Sequence, residues 1–117
     1  MREIKFRVWD KTEKLWSKIY WYELWGDPTV EFTQYTGLKD KNGKEIYEGD
    51  IVDIGEREHA TPELVLFSKG SFGINASWIT HEAEDPFIEL HRYCNIIFRE
   101  CVEVIGNIYE NPELLAK

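Results

Sequence analysis

The chain has 117 residues, 43% hydrophobic and 31% charged, which bounds it to one globular domain or a domain with a small appendage. Fourteen Lys and Arg against 22 Asp and Glu leave a net charge of −8, which counts against a general nucleic-acid binder and against docking on an anionic membrane. No apolar run nears the ~20 residues that span a bilayer, the charged N-terminus does not read as a signal peptide, and two Cys without such a signal point to a reducing cytoplasm.

Residues Glu3 to Trp9 alternate, with Ile4, Phe6 and Val8 on one face and Lys5, Arg7 and Trp9 on the other. That is the period of a half-buried strand. Asp10 to Lys14 is polar, and apolar residues resume from Leu15 to Tyr22, so the spacing predicts a β-hairpin. Gly26-Asp27-Pro28 breaks the chain before a third strand over Val30 to Tyr35. Thr36 to Lys44 reads as turn chemistry throughout, strongest at Asn42-Gly43, where both residues tolerate positive φ. Gly49 predicts a tight turn that feeds the first strand of a small barrel, Ile51 to Ile54.

Glu56 to Pro62 is polar and reads as an exposed loop. Leu64 to Phe67, Phe72 to Ile74 and Trp78-Ile79 read as short strands separated by Ser68-Lys69-Gly70 and Asn75-Ala76-Ser77. Between Thr80 and Arg99, Pro86 interrupts, while Phe87, Leu90, Cys94 and Ile97 carry helical spacing. A short helix and an irregular excursion both fit residues 80–99. Val102 to Ile105, with Ile108, closes as a strand, and Asn111-Pro112-Glu113 opens a single helical turn with Asn111 as its cap. The expected fold is mainly β, a small antiparallel barrel with an N-terminal hairpin appendage and little helix. The expected division is an aromatic hairpin region over 1–36, packed on or swapped with a barrel over 37–117.

The chemistry-bearing residues are few. His91, Cys94 and Cys101, with His81 upstream, are candidate zinc ligands, but their spacing matches no pair of C-x2-C motifs. A free Cys is more often a small buried hydrophobe, so no metal is expected. Either Cys paired with His59, His81 or His91 would make a nucleophile, yet no local signature surrounds them. Glu82, Glu84 and Asp85 cluster, as do Glu45, Glu48, Asp50 and Asp53, in the manner of exposed acidic faces. Phosphate-cradling glycine motifs are absent. The expectation is a protein with no catalytic residue and no cofactor.

The aromatic residues stand out. Trp9, Trp16, Trp21 and Trp25 place four of the five tryptophans in the first 25 residues, beside Tyr20 and Tyr22. A hairpin cannot bury them all, so core packing or oligomerisation leads, a different protein partner follows, and a stacking platform for nucleic acid comes last. Trp9, Trp16, Trp21, Tyr22 and Trp25 are the candidate interface. The first 18 residues carry six basic and three acidic side chains, a net of +3, and the other 99 carry eight and 19, a net of −11. A basic hairpin on an acidic body suits steering or subunit pairing, although lysines that merely protect an exposed edge give the same pattern.

Three blocks also carry a resemblance. Arg2-Glu3-Ile4-Lys5-Phe6-Arg7-Val8-Trp9-Asp10 resembles the opening of the YopX-like family of phage and prophage proteins. So does the stretch from Gln34 to Val52, through Thr36-Gly37-Leu38-Lys39-Asp40-Lys41-Asn42-Gly43-Lys44 and Tyr47-Glu48-Gly49-Asp50. So does Val104-Ile105-Gly106-Asn107-Ile108-Tyr109-Glu110-Asn111-Pro112-Glu113-Leu114-Leu115. The resemblance implies an SH3-like β-barrel of phage or prophage origin, typically in Gram-positive bacteria, and no catalytic residues. The intervening stretches, with the Trp cluster and the Cys/His set, match no shared motif. The resulting expectation is a non-enzymatic protein-binding or assembly module in the bacterial cytoplasm. It would associate with itself first, or with a host or phage protein. The alternative is an acidic inhibitor that mimics nucleic acid toward a host enzyme, and a metal-assisted hydrolase on His81, His91, Cys94 and Cys101 ranks last.

Overall fold

The computed structural model describes residues 4–18, 20–54, 62–68, 70–75, 87–90 and 102–115. The strands are β1 (Phe6–Asp10), β2 (Leu15–Trp16), β3 (Val30–Lys39), β4 (Glu45–Tyr47), β5 (Asp50–Ile54), β6 (Glu63–Leu64), β7 (Leu66–Ser68), β8 (Ser71–Asn75), β9 (Phe87–Glu89) and β10 (Val102–Asn107). They form three antiparallel sheets in the orders β2-β1-β3-β4, β10-β5-β6 and β7-β8-β9. Helix is sparse among the described residues, with two 3-10 turns, Trp21–Leu24 and Pro112–Leu115, and a helical residue at Leu90. The protein is mainly β, and its sheets curl as a half-barrel around one apolar cluster.

That cluster takes Ile46 from β4, Val52 from β5, Val65 from the link between β6 and β7, Ile74 from β8, Leu90 after β9 and Val102 from β10. Leu38 and Val104 pack against it. Burying each such aliphatic side chain favours the fold by about 1.5–3 kcal/mol. Every sheet therefore contributes to one core, and the sheet built on the hairpin enters it through Ile46 and Leu38.

Several local expectations change once strands choose partners. The second hairpin strand stops at Trp16 instead of running to Tyr22. The chain then closes a 3-10 turn, with the Glu23 N–H donating to the Tyr20 carbonyl at 3.0 Å and the Asp27 N–H to the Leu24 carbonyl at 2.9 Å. Thr36 to Lys39 extends β3 rather than turning. Gly37 there has φ +87°, and the β3–β4 register shifts between Tyr35 and Lys39, so the glycine sits at an irregularity within the strand. The Thr36 hydroxyl donates to the Ile46 carbonyl at 2.7 Å and anchors that irregularity. The turn itself is confined to residues 40–44, where Gly43 has φ +81° as the Asn42-Gly43 signal predicts.

The single strand expected over Leu64 to Phe67 is two, split at the fully buried Val65. Val65 donates its N–H to the Asp50 carbonyl (2.8 Å) and accepts from the Gly49 N–H (2.9 Å), so it hands the chain from one sheet to the next. Phe87 to Glu89 is a strand paired with β8, which overrides its helical spacing. Asn111 precedes the closing turn as expected, but its side chain accepts from the Asn107 N–H (3.3 Å) rather than from the turn. The Trp78-Ile79 strand, the rest of residues 80–99 and the loop over 56–61 lie outside the described residues.

Candidate functional site

Both sides of the β1 alternation are packed, with Val8 2% exposed on one and Trp9 7% exposed on the other. Lys5, Arg7 and Trp9 share a face with Glu31, Thr33 and Tyr35 of β3, because Arg7 pairs with Thr33 and Trp9 with Glu31. The Arg7 guanidinium lies 4.1 Å from the Trp16 ring and 4.6 Å from the Tyr47 ring. Its Nε donates to Thr33 Oγ1 at 3.0 Å, and its Nη2 donates to Asp50 Oδ1. Asp50 is 1% exposed, and its other oxygen accepts from the Tyr47 N–H at 2.8 Å. Burial pushes the Asp50 carboxyl above its ordinary range, with Arg7 and the Tyr47 N–H acting against that rise. A part-buried cation is thus clamped by two rings and a buried carboxylate.

Trp9 completes the layer. Its ring meets Trp16 edge-on at 5.0 Å and Tyr109 at 5.7 Å, and Trp16 meets Tyr109 edge-on at 5.7 Å. The Trp16 indole N–H donates to Glu110 Oε1 at 2.5 Å, and Asn107 Nδ2 donates to the same oxygen at 3.0 Å. Those donors, Asn107 first, hold the Glu110 carboxyl below its usual range. Burial raises the Tyr109 hydroxyl, with Glu31 and Glu48 adding to it, and burial and Glu45 push Tyr47 up to about 12. Gly49 brings the chain close to this layer with φ +89°, where an added Cβ would stand 3.1 Å from the Tyr109 ring. The N-terminal hairpin is therefore clasped by residues about 100 positions away.

Three aromatic residues after the hairpin face outward. Tyr20, Tyr22 and Trp25 are 68%, 59% and 70% exposed. Tyr20 and Tyr22 stack at 5.5 Å with their planes 8° apart, and Trp25 leans on Phe32 at 5.4 Å and 50°. Trp25, Gly26, Asp27, Val30 and Phe32 line an open cleft of about 400 Å³. Asp27 Oδ1 accepts from the Thr29 N–H (2.8 Å) and hydroxyl (2.6 Å), which fixes the turn carrying Trp25 and holds that carboxyl below its ordinary value.

Of the five residues read as an interface, Trp9 is buried, Trp16 is half-buried against it, and Tyr22 and Trp25 are exposed. Trp21 lies in the 3-10 turn. Phe32 and Asp27 of the cleft carried no signal in the sequence beyond a strand position and a turn. His59, His81, His91, Cys94, Cys101, Glu82, Glu84 and Asp85 lie outside the described residues. Among the described residues no group of three or more His, Cys, Asp or Glu could hold a metal ion, and no helix is long and apolar enough to cross a membrane.

Taken together these features define a small all-β scaffold with a charged aromatic layer inside and an aromatic turn outside. The YopX protein family profile matches residues 19–116, and the chain belongs to that family. The SPbeta prophage-derived uncharacterized protein YopX of Bacillus subtilis (strain 168) is 35% identical over 75 residues, 62% of this chain and 52% of that protein. The chain thus aligns with about half the length of that curated relative. Protein EF1440 from Enterococcus faecalis superposes over 98% of this chain and 99% of its own, with a TM-score of 0.66 and 26% identity. The crystal structure of YopX from Bacillus subtilis does so over 98% and 99%, with a TM-score of 0.63 and 24% identity.

Proposed function

We propose that this prophage-type protein is a non-enzymatic protein-binding or assembly module, an SH3-like barrel that works in the cytoplasm of its bacterial host. The observation that carries the reading is the exposure of Tyr20, Tyr22 and Trp25 on one short turn. Aromatic rings of this size bury 150–250 Å² each when covered, and they anchor protein interfaces more often than they serve exposed surfaces. Prophage origin is supported by the printed name of the curated relative and the barrel by the short antiparallel strands around one core. Self-association is the first assembly expected, and a host or phage protein is the other.

The test is light scattering over a range of concentrations on the wild-type chain and on a Tyr22→Ser/Trp25→Ala variant. The reading expects an assembly that the variant loses while its circular dichroism is unchanged. Assembly that survives the double substitution would overturn it. The acidic-inhibitor reading retains one supporting fact, the net charge of −11 over residues 19–117. It predicts inhibition of a host nucleic-acid enzyme that added salt abolishes.

A further inference from the structure

The turn over residues 40–44 is fastened along β10, on the side away from β5. The Lys41 N–H donates to the Val102 carbonyl and the Val104 N–H to Asp40 Oδ2, each at 2.9 Å. Glu103, between them, accepts from Asn42 Nδ2 at 3.3 Å and lies 3.5 Å from Lys41 Nζ. Asp40 Oδ1 holds the turn itself, accepting from the Asn42 and Lys44 N–H groups at 2.9 Å. Asn42 is exposed, and Asn42-Gly43 is the one Asn-Gly pair in the sequence. A glycine has no side chain to shield its amide nitrogen, so that nitrogen can reach the side-chain carbonyl of the asparagine before it.

We propose that Asn42 is a site of spontaneous, one-way conversion to aspartate and isoaspartate, gated by opening of the turn, and that the conversion unfastens the turn from β10. The Gly43 nitrogen bonds to Asn42 Cγ, and Nδ2 leaves as ammonia with the proton that the Gly43 amide gives up. Water then adds to either carbonyl of the cyclic imide, which yields aspartate or isoaspartate. The gate is hydrogen bonding of both reacting groups, because the Gly43 N–H donates to the Asp40 carbonyl at 3.0 Å and the Asn42 amide donates to Glu103. The product carries a carboxylate where a donor faced Glu103, and Asp53 stands opposite Glu103 in the β5–β10 register. An attraction becomes a repulsion among like charges. Isoaspartate also lengthens the backbone inside a turn whose spacing is set by the two bonds to Asp40 Oδ1.

The experiment incubates the full chain, folded and in urea, beside the capped peptide acetyl-Lys-Asn-Gly-Lys-amide at mildly alkaline pH, with peptide mapping by mass spectrometry. The expected result is conversion located at Asn42, about tenfold slower in the folded chain than in the peptide, equivalent to about 1.4 kcal/mol for opening the turn. Urea is expected to remove the difference. The consequence is read by hydrogen exchange at the Lys41 and Val104 amides, expected to be about threefold faster or more in Asn42→Asp than in the wild type. Asn42→Ser, which loses the donor without gaining the charge, is expected to fall between them. Conversion in the fold as fast as in the peptide would overturn the gate. No conversion at Asn42 once the peptide is consumed, or conversion at other asparagines ahead of it, would overturn the site. Unchanged exchange at Lys41 and Val104 in Asn42→Asp would overturn the unfastening.

Discussion

Trp16 and Trp25 lie nine positions apart, yet they have opposite surroundings. Trp16 is held by the ring of Trp9, the ring of Tyr109, the Arg7 guanidinium and the Glu110 carboxylate. Trp25 touches Phe32 and is 70% exposed. The difference follows from what each ring can reach. A tryptophan opposite β1 meets the chain's C-terminal segment, where Tyr109 and Glu110 satisfy both its face and its N–H. A tryptophan on the turn beyond β2 leans on Phe32 and stays mostly in water. Aromatic surplus in a small protein therefore divides by partner availability, and the undivided remainder is what an assembly can use.

The comparison can be broken from the inside first. Arg7→Ala removes the cation between Trp16 and Tyr47 and leaves the buried Asp50 carboxylate without its charge partner. Urea unfolding is expected to show a loss of about 3 kcal/mol or more. Gly106→Ala is next. Its Cβ would stand 2.7 Å from Asn111 Oδ1 and 2.9 Å from Leu114 Cδ1, so the Asn111 and Leu114 side chains must move and the Asn107–Asn111 hydrogen bond is disturbed. The expected cost is about 1–3 kcal/mol in the same assay.

Glu110 gives a smaller and pH-dependent effect. Its folded-state pKa is depressed, so its contribution is present above the unfolded value and fades as pH falls through the folded one. Because the group is largely exposed, Glu110→Gln is expected to flatten the acid limb of stability against pH by less than about 1 kcal/mol. Asp50 has the opposite sign. Its raised pKa means that its ionisation opposes folding, so its own term weakens stability as pH rises from the unfolded value toward the folded one. The smallest stability effect belongs to Trp25→Ala, expected within about 0.5 kcal/mol of wild type because the ring is mostly in water. A cost of several kcal/mol there would show that the outer ring is part of the fold.

Much of the architecture was legible because it is local. The alternation up to Trp9, the Asn42-Gly43 turn and Gly49 ahead of β5 depend on a few neighbouring residues; the turn and Gly49 are where their signals lie, and the first strand runs over Phe6–Asp10. The packing of the polar face of β1 was not legible. Arg7 and Lys5 read as solvent-facing until Asp50 and Glu45 come into view, and those partners are about 40 residues away. Thr36 to Lys39 reads as turn because its composition is that of a turn; pairing with β4 and burial of Leu38 decide otherwise. Phe87 to Glu89 has helical spacing, but the open edge of β8 claims it. The candidate site was half legible for the same reason. Composition marks an aromatic cluster, and only the C-terminal Tyr109 and Glu110 separate its inner members from its outer ones.

The most direct measurement follows the tryptophan indole N–H resonances of the full chain as its concentration is raised. The account predicts that the Trp25 resonance shifts or broadens as copies or partners cover the outer turn, while those of Trp9 and Trp16 stay in place and exchange slowly with solvent. Movement of the Trp9 and Trp16 resonances with an unmoved Trp25 would contradict it, because the layer assigned to the fold would then be the surface that associates.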